Sequence, residues 1–307
     1  MPDLPLVSII TPSYNQGQFL EATLRSVLEQ DYPHLEYIVI DGGSQDGSPE
    51  IIRRYAGRLA YWEAQPDRGQ SHAINKGLQR ASGEILGWLN SDDLLLPGTL
   101  QTVVETFLAE PAVDVIYGRL ERIDAAGSLL PTPELPKDRV EFGLPLLIGE
   151  CVVNQPGCFW RREAMLRAGW LDESLRYSMD YEYWMRLALS GVRFRRLSQP
   201  VARFRLSGAS KTVAQSAGQA REQLAVLDRL LALPDLPARM GISPQQARRQ
   251  ARRTQAVFCL QAFYGYSKQR DLRQAGHWLA QALRYDPSAL LQRRWLDLAL
   301  AGLRRRL

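Results

Sequence analysis

The chain has three cysteines in 307 residues, Cys151, Cys158 and Cys259, and no two of them form a CxxC pair. A disulfide framework or a thiolate metal site is therefore not expected. An odd count without a secretion signal fits a reducing cytoplasm, with all three as structural residues. Histidine is equally scarce, at His34, His72 and His277. No run approaches 18 uncharged apolar residues, so no membrane-spanning helix is expected. The opening MPDLPLVSIITPSYN carries Asp3 and no basic region before its short apolar run, and does not read as a signal peptide. The 23 glycines and 18 prolines recur with no period, which excludes collagen-like and low-complexity classes.

What is present is an ordinary globular composition, 45% hydrophobic and 23% charged, with enough apolar material for a sizeable core. The length favours about two domains. The net charge of +5 is unevenly placed, with −5 over residues 1–212 and +10 over residues 213–307. A basic segment of that kind can meet nucleic acid, an anionic membrane surface or a phosphate-bearing substrate, or can be a solvated helical face.

The hydrophobic pattern switches period along the chain. Residues 6–11 read as a buried strand ended by Pro12, 37–41 as a second closed by Gly42-Gly43, and 59–65, 84–89 and 113–122 as further strands. Helical spacing covers 18–30, 48–55 (Ser48 as cap, Pro49 at the first position), 71–81 and 97–109. Strand and helix alternate over the first ~110 residues, which implies an open, mostly parallel α/β sheet. Ligands bind such sheets beyond the carboxyl ends of the strands. Thr11-Pro12-Ser13-Tyr14-Asn15, Asp41-Gly42-Gly43-Ser44 and Asn90-Ser91-Asp92-Asp93 lie there. Residues 131–160, with five prolines, read as a long excursion with little regular structure. An amphipathic helix over 179–190 is stopped by Gly191, and short strands follow at 192–197 and 201–206. From about Val213 the pattern is helical, at 215–233, 243–267, 271–285 and 288–305.

Four acids, Asp41, Asp92, Asp93 and Asp180, fall at or beside strand ends and helix starts. Singly, such an acid is usually a turn or helix cap. Together, at the C-terminal edge of a parallel sheet, they can hold a hard cation through oxygen ligands, and the cation can bridge and neutralise a diphosphate leaving group.

The run LVSIITPSYNQGQFLEATLRSVLEQDYPHLEYIVIDGGSQDGSPEIIRRY, with WLNSDD and SMDYEYWMRL, resembles glycosyltransferase family 2. The likeness covers about residues 6–212 and is nearest to bacterial members carrying Asp67-Arg68-Gly69-Gln70-Ser71 and Ala73-Ile74-Asn75-Lys76-Gly77. It implies an α/β GT-A fold, Rossmann-like with a mostly parallel sheet flanked by helices, followed here by an α-helical C-terminal region. Residues 1–212 would be the catalytic domain, with about 1–110 for the nucleotide sugar and 111–212 for the acceptor side and the base. Residues 213–307 would be a basic helical domain.

The resemblance implies an inverting transfer of a sugar from a nucleotide diphosphate, with UDP the default, to an acceptor hydroxyl. Thr11, Pro12 and Tyr14 would line the base pocket, and Asp41 would accept from the base. Asp67, Arg68, Gln70, Asn75, Lys76 and Asn90 would lie along the nucleotide sugar. Asp92 would take the ribose or a metal-bound water, and Asp93 would contact a divalent cation, Mn2+ or Mg2+, directly. Asp180 would be the catalytic base, in its ionised form at the helix N-terminus, with Trp88, Gln155 and Glu182 on the acceptor side. Two departures stand out: Met179 precedes Asp180 where relatives have an acid, and Ser207 stands where many have a metal-binding histidine. With Ser207, weaker metal dependence is expected, and Arg205 and Lys211 would help offset phosphate charge. His72 sits where close relatives often have Asp.

The expected partners are the nucleotide sugar and a saccharide or lipid-linked acceptor, in polysaccharide, lipopolysaccharide or glycolipid assembly. A catalytically inactive nucleotide-sugar binding protein is the alternative reading. The aromatics of the tail recur at helical spacing, which points to core rather than nucleic-acid binding. Arg293, Arg294 and Arg304–Arg306 flank an apolar stripe through Trp295, Leu296, Ala299, Leu300 and Leu303. That helix would either lie on an anionic membrane at the cytoplasmic face, pack on its neighbours, or join copies in a homo-oligomer.

Overall fold

The structure, a computed structural model, describes residues 4–131, 153–206 and 216–288. These fall into two compact units, 4–131 with 153–206, and 216–288. Lys211, Ser207 and the C-terminal arginine-flanked helix lie outside the described residues.

The first unit is built on one sheet. β1 (Val7–Ser13), β2 (Leu35–Asp41), β3 (Tyr61–Ala64) and β4 (Ile85–Trp88) run parallel in the order β3-β2-β1-β4. They are linked by α1 (Gly17–Leu28), α2 (Ser48–Tyr55) and α3 (Gln70–Arg80). All seven residues of β1 are buried, as a central parallel strand covered on both faces requires. Gly77 of α3 lets the helix sit on that strand, since a Cβ there would meet Ile10 Cγ2 at 2.4 Å. The expected alternation is therefore present, and the sheet edge holding the C-termini of β1, β2 and β4 carries the polar segments singled out above.

Several expectations need correction. β1 does not stop at Pro12 but runs to Ser13. The N–H that proline lacks would face β4, whose pairing with β1 ends at Ile10 opposite Trp88, so no ladder bond is lost. α2 is capped by Gly47 at φ 86° rather than by Ser48, whose hydroxyl donates to Asp46 Oδ1 at 2.6 Å. α4 is Thr99–Ala109, with Pro97 outside it.

The second half of the unit departs further. Within the proline-rich stretch lies β8 (Cys158–Arg161), antiparallel to both β4 and β6 (Val115–Ile123). The two short strands expected at 192–197 and 201–206 are one strand, β9 (Phe194–Arg205), parallel to β6 and antiparallel to β5 (Leu94–Leu95). Pro200 is accommodated because the β6–β9 register shifts around its partner Arg119. Gly118 and Gly157 make room for Val201, whose Cγ2 would lie 2.3 and 2.7 Å from a Cβ at those positions. The strand order is β3-β2-β1-β4-β8-β6-β9-β5, and β7 (Leu129–Leu130) pairs with β6 off this path.

The second unit is helical. Its helices are Ser216–Leu231, Leu236–Arg239, Pro244–Lys268 and Leu272–Tyr285. Ser243 and Gln246 form a capping box with Pro244 in the first turn, and Asp271 caps the last helix through Gln274 N at 3.0 Å. Phe258 and Trp278 are buried, as their helical spacing implied.

Candidate active site

The exits of β1 and β2 are laced together. Asp41 ends β2 and is fully buried. Its Oδ1 accepts from Gly43 N (3.1 Å) and Ser44 N (2.8 Å), and its Oδ2 from Ser44 Oγ (2.7 Å). Asn15, at φ 51°, donates its N–H to Ser44 Oγ and accepts from Gln45 N. Asp41 thus fixes the turn that leaves β2. Tyr14 leaves the strand 64% exposed, an open ring face. Pro12 is buried behind it, and Thr11 points into the sheet, its hydroxyl 2.9 Å from Tyr37 OH.

Asp67 lies against the same turn. A Cβ on Gly42 would meet Asp67 Oδ2 at 2.7 Å, and Asp67 Oδ1 accepts from Gly69 N at 2.7 Å. Gly69, at φ 116°, caps α3. His72 Nδ1 accepts from Arg68 N at 3.2 Å, so the ring closes the first turn of α3 as an aspartate would.

α3 turns out to be a clamp on the segment that leads to Asp180. Asn75 is buried; its Nδ2 donates to Leu171 O and Glu173 Oε1, and its Oδ1 accepts from Leu171 N. Ser71 Oγ donates to Leu175 O, and Arg68 pairs with Glu173 at 2.6 Å. Lys76 pairs instead with Glu63. Asn75→Ala strips partners from Leu171 N and O, and is expected to cost about 1–3 kcal/mol in a thermal or urea melt. An unchanged midpoint would show that the segment needs no such anchor.

The acids after β4 divide by burial. Asp93 is 0% exposed; its Oδ1 accepts from Arg205 N at 3.0 Å and its Oδ2 from Asn90 Nδ2 at 3.4 Å. Burial, and then the neighbouring Asp92 charge, push its carboxyl well above the usual range. Asp92 keeps partial exposure. Of the two carboxylates, the one that reaches solvent is Asp92. Arg205 is not a free phosphate ligand. Its guanidinium donates to the carbonyls of Asp92, Asp124 and Ala125 and covers the Phe19 ring. It pins the turn that presents both acids.

Asp93→Asn keeps an acceptor for Arg205 N and removes a buried charge. A carboxylate raised in the folded state contributes stability that is complete at low pH and lost as pH rises through its folded value. Asp93→Asn is thus expected to raise the urea midpoint at pH 7. That gain should shrink as pH falls through the raised value towards the ordinary carboxylate range. A variant weaker than wild type at pH 7 would contradict the charge cost.

A polar chain joins the other candidates. Gln70 Nε2 donates to Asn90 Oδ1 (2.8 Å), Asn90 Nδ2 to Gln155 Oε1 (2.7 Å), and Gln155 Nε2 to Trp88 O (2.7 Å). Trp88 then stacks on Trp184, ring centroids 5.3 Å apart at 7°. Trp160 meets Trp88 edge-on at 5.3 Å, and Tyr183 completes the cluster. Trp160 Nε1, Tyr183 OH and Trp184 Nε1 have no hydrogen-bond partner among the described residues, so ring packing holds this cluster.

Trp184 and Tyr183 belong to the helix Met179–Leu189, whose second residue is Asp180. The cluster therefore locks that helix to the strand that delivers Asp92. Asp180 Oδ1 accepts from Tyr181 N at 2.7 Å. Desolvation nevertheless raises its carboxyl above the usual value, so burial outweighs the helix N-terminus that was expected to favour ionisation. Glu182 is engaged through both carboxylate oxygens by Arg186, which also donates to Ala168 O and Trp170 O.

Among the described residues no three His, Cys, Asp or Glu side chains converge as a metal site. The available donors at the β4 edge are carboxylate oxygens, the type a hard divalent cation takes. Asp92 fits such an ion provided that the substrate supplies further oxygens.

The glycosyl transferase family 2 model matches residues 8–170, which span the acids after β4 and Asn75. An uncharacterized glycosyltransferase of Rickettsia typhi is 32% identical over 200 residues, covering 62% of this chain and 61% of that protein. The chain therefore spans less than two thirds of that relative's length. Among solved structures, S. aureus TarS 1–349 in complex with UDP-GlcNAc superposes with a TM-score of 0.67 at 18% identity, over 91% of this chain and 81% of that one. The mannosyltransferase PcManGT from Pyrobaculum calidifontis, in complex with GDP-Man and Mn2+, gives 0.62 at 22%, over 97% and 87%. Those likenesses establish the GT-A architecture, a mostly parallel sheet with flanking helices, and the sequence match places this chain in glycosyl transferase family 2.

Proposed function

We propose that the chain is an inverting glycosyltransferase that moves a sugar from a nucleoside diphosphate, most simply UDP, to an acceptor hydroxyl. One observation carries the reading: Asp92, at the exit of a parallel strand, and Asp180, at the start of a helix, are coupled through the Trp88–Trp184 stack. The two relatives of known structure, one with UDP-GlcNAc and one with GDP-Man and Mn2+, support a nucleotide-sugar donor.

In this reading Tyr14 offers its ring to the base, and the Asp41–Ser44 loop borders it. Asp92 would hold a divalent cation, which would supply charge neutralisation on the departing diphosphate. Asp180 Oδ1 stays bonded to Tyr181 N, and its other oxygen takes the acceptor proton as the new C1–O bond forms. The bond from C1 to the diphosphate oxygen breaks, and the nucleotide leaves with that electron pair. A carboxylate raised by burial is a better base at neutral pH than an exposed one. Glu182, held by Arg186, shapes the acceptor side without competing for the proton.

The acceptor is a saccharide or lipid-linked intermediate of polysaccharide, lipopolysaccharide or glycolipid assembly, met in the cytoplasm or at the inner face of the membrane. No helix among the described residues is long and apolar enough to cross a membrane. The test is the stereochemistry of the product. With an α-linked UDP-sugar donor, proton NMR of the newly formed linkage should show the β-anomeric coupling. An α-product would overturn the single-displacement reading.

A further inference from the structure

The helical unit holds a cleft of about 340 Å³ that the transfer chemistry does not use. It lies where the end of the helix Leu272–Tyr285 meets the N-terminal half of Pro244–Lys268, lined by Arg248, Arg249, Arg252, Arg253, Tyr285 and Asp286, among others. Four guanidiniums thus share one lining acid. That acid is largely spent: Asp286 Oδ1 accepts from Ser288 N (2.9 Å) and Ser288 Oγ (2.6 Å), while Oδ2 sits 3.8 Å from Arg253 Nε.

The placement is unfavourable for a merely solvated face. Arg248 and Arg252, and Arg249 and Arg253, are like-charged i,i+4 pairs, which destabilise a helix. The first turn of the helix contains no acid to compensate. The cap there is the neutral Ser243–Gln246 box. A multiply charged anion relieves both repulsions at once. Guanidiniums grip phosphate oxygens in pairs, with a geometry that a single point charge lacks.

We propose that this cleft binds a phosphate or diphosphate group, free or carried on a lipid. Its volume admits a diphosphate with room for an attached group against the Tyr285 ring. Binding there does not depend on the transfer reading; that the bound group belongs to the acceptor or product does.

The experiment is calorimetric titration of the full chain with inorganic pyrophosphate, in EDTA and saturating UDP so that the donor site is filled. Arg248→Gln with Arg252→Gln removes two charges while keeping good helix formers. Affinity is expected to fall roughly a hundredfold, about tenfold for each guanidinium–phosphate bond removed. Lys268→Gln with Arg273→Gln removes the same charge outside the cleft and should change affinity less than about threefold, as expected of exposed charges away from the anion. UDP affinity should be equal in all three proteins. A second arm uses vesicles carrying phosphatidic acid. Binding that the cleft variant loses, and that pyrophosphate displaces, assigns a lipid headgroup; binding of pyrophosphate alone assigns a free phosphate. No binding of either probe, or equal losses in the two variants, overturns the proposal. UDP binding that persists in that case would leave the transferase reading intact.

Discussion

Asp180→Asn is expected to lower the transfer rate by roughly 10²–10⁴-fold while leaving donor affinity unchanged, the usual loss when a positioned general base is removed. The amide preserves shape and can still accept from Tyr181 N through its oxygen, so the helix start and the aromatic cluster behind it should hold. What disappears is the one oxygen able to take the acceptor proton. The wild-type rate should fall on the acid side as Asp180 becomes protonated, at a pH above the ordinary carboxylate range because burial raises its value. In the variant that acid limb should vanish with the activity. Retention of near-full activity with an unchanged pH profile would move the base elsewhere, and Glu182 would be the next residue to substitute.

Asp92→Ala is expected to abolish the gain that a divalent cation gives to nucleotide binding. Loss of a direct ligand is expected to cost at least as much as loss of a ligand's hydrogen-bond partner, on the order of 10–100-fold in cation affinity. Titration of UDP with and without manganese reads this as a ratio: well above one in wild type, close to one in the variant. Asp93→Asn in the same titration should keep the wild-type ratio, because that side chain is buried against Arg205 N and Asn90. A collapse with Asp93→Asn and not with Asp92→Ala would place the cation on Asp93, as read from the sequence.

Much of this site is visible in the chain because the first half of the fold is local. β1, β2 and β4 are short apolar runs that give way to polar residues or paired glycines, and α3 carries its spacing openly. Gly191, at φ 78°, ends the Asp180 helix where the pattern stops. The errors lie where distant residues decide. β8 is four residues long and gains its identity from β4 and β6, more than 30 residues away. β9 reads as two pieces because Pro200 interrupts its pattern, and only the register shift against β6 shows why it continues.

Adjacent acids in a turn have no periodicity, so nothing local tells which of Asp92 and Asp93 is inside. Arg205 decides that, from 112 positions along the chain. In the same way Asn75 reads as a donor-site residue, and nothing local in the sequence announces its three bonds to Leu171 and Glu173. Glu173 itself carries no motif by which it could have been singled out.

The central claim, that the β4 edge is a metal-assisted nucleotide-sugar site, is tested most directly by a thermal-shift panel of nucleotide sugars with and without manganese. At about 100 times its dissociation constant a ligand contributes ~2.7 kcal/mol to stability, a shift of several degrees for a chain of this size. At least one UDP-sugar should raise the melting temperature, more so with manganese than without, and Asp92→Ala should erase the difference between the two conditions. A panel in which no nucleotide sugar moves the transition at millimolar concentration, with or without the ion, would contradict the claim.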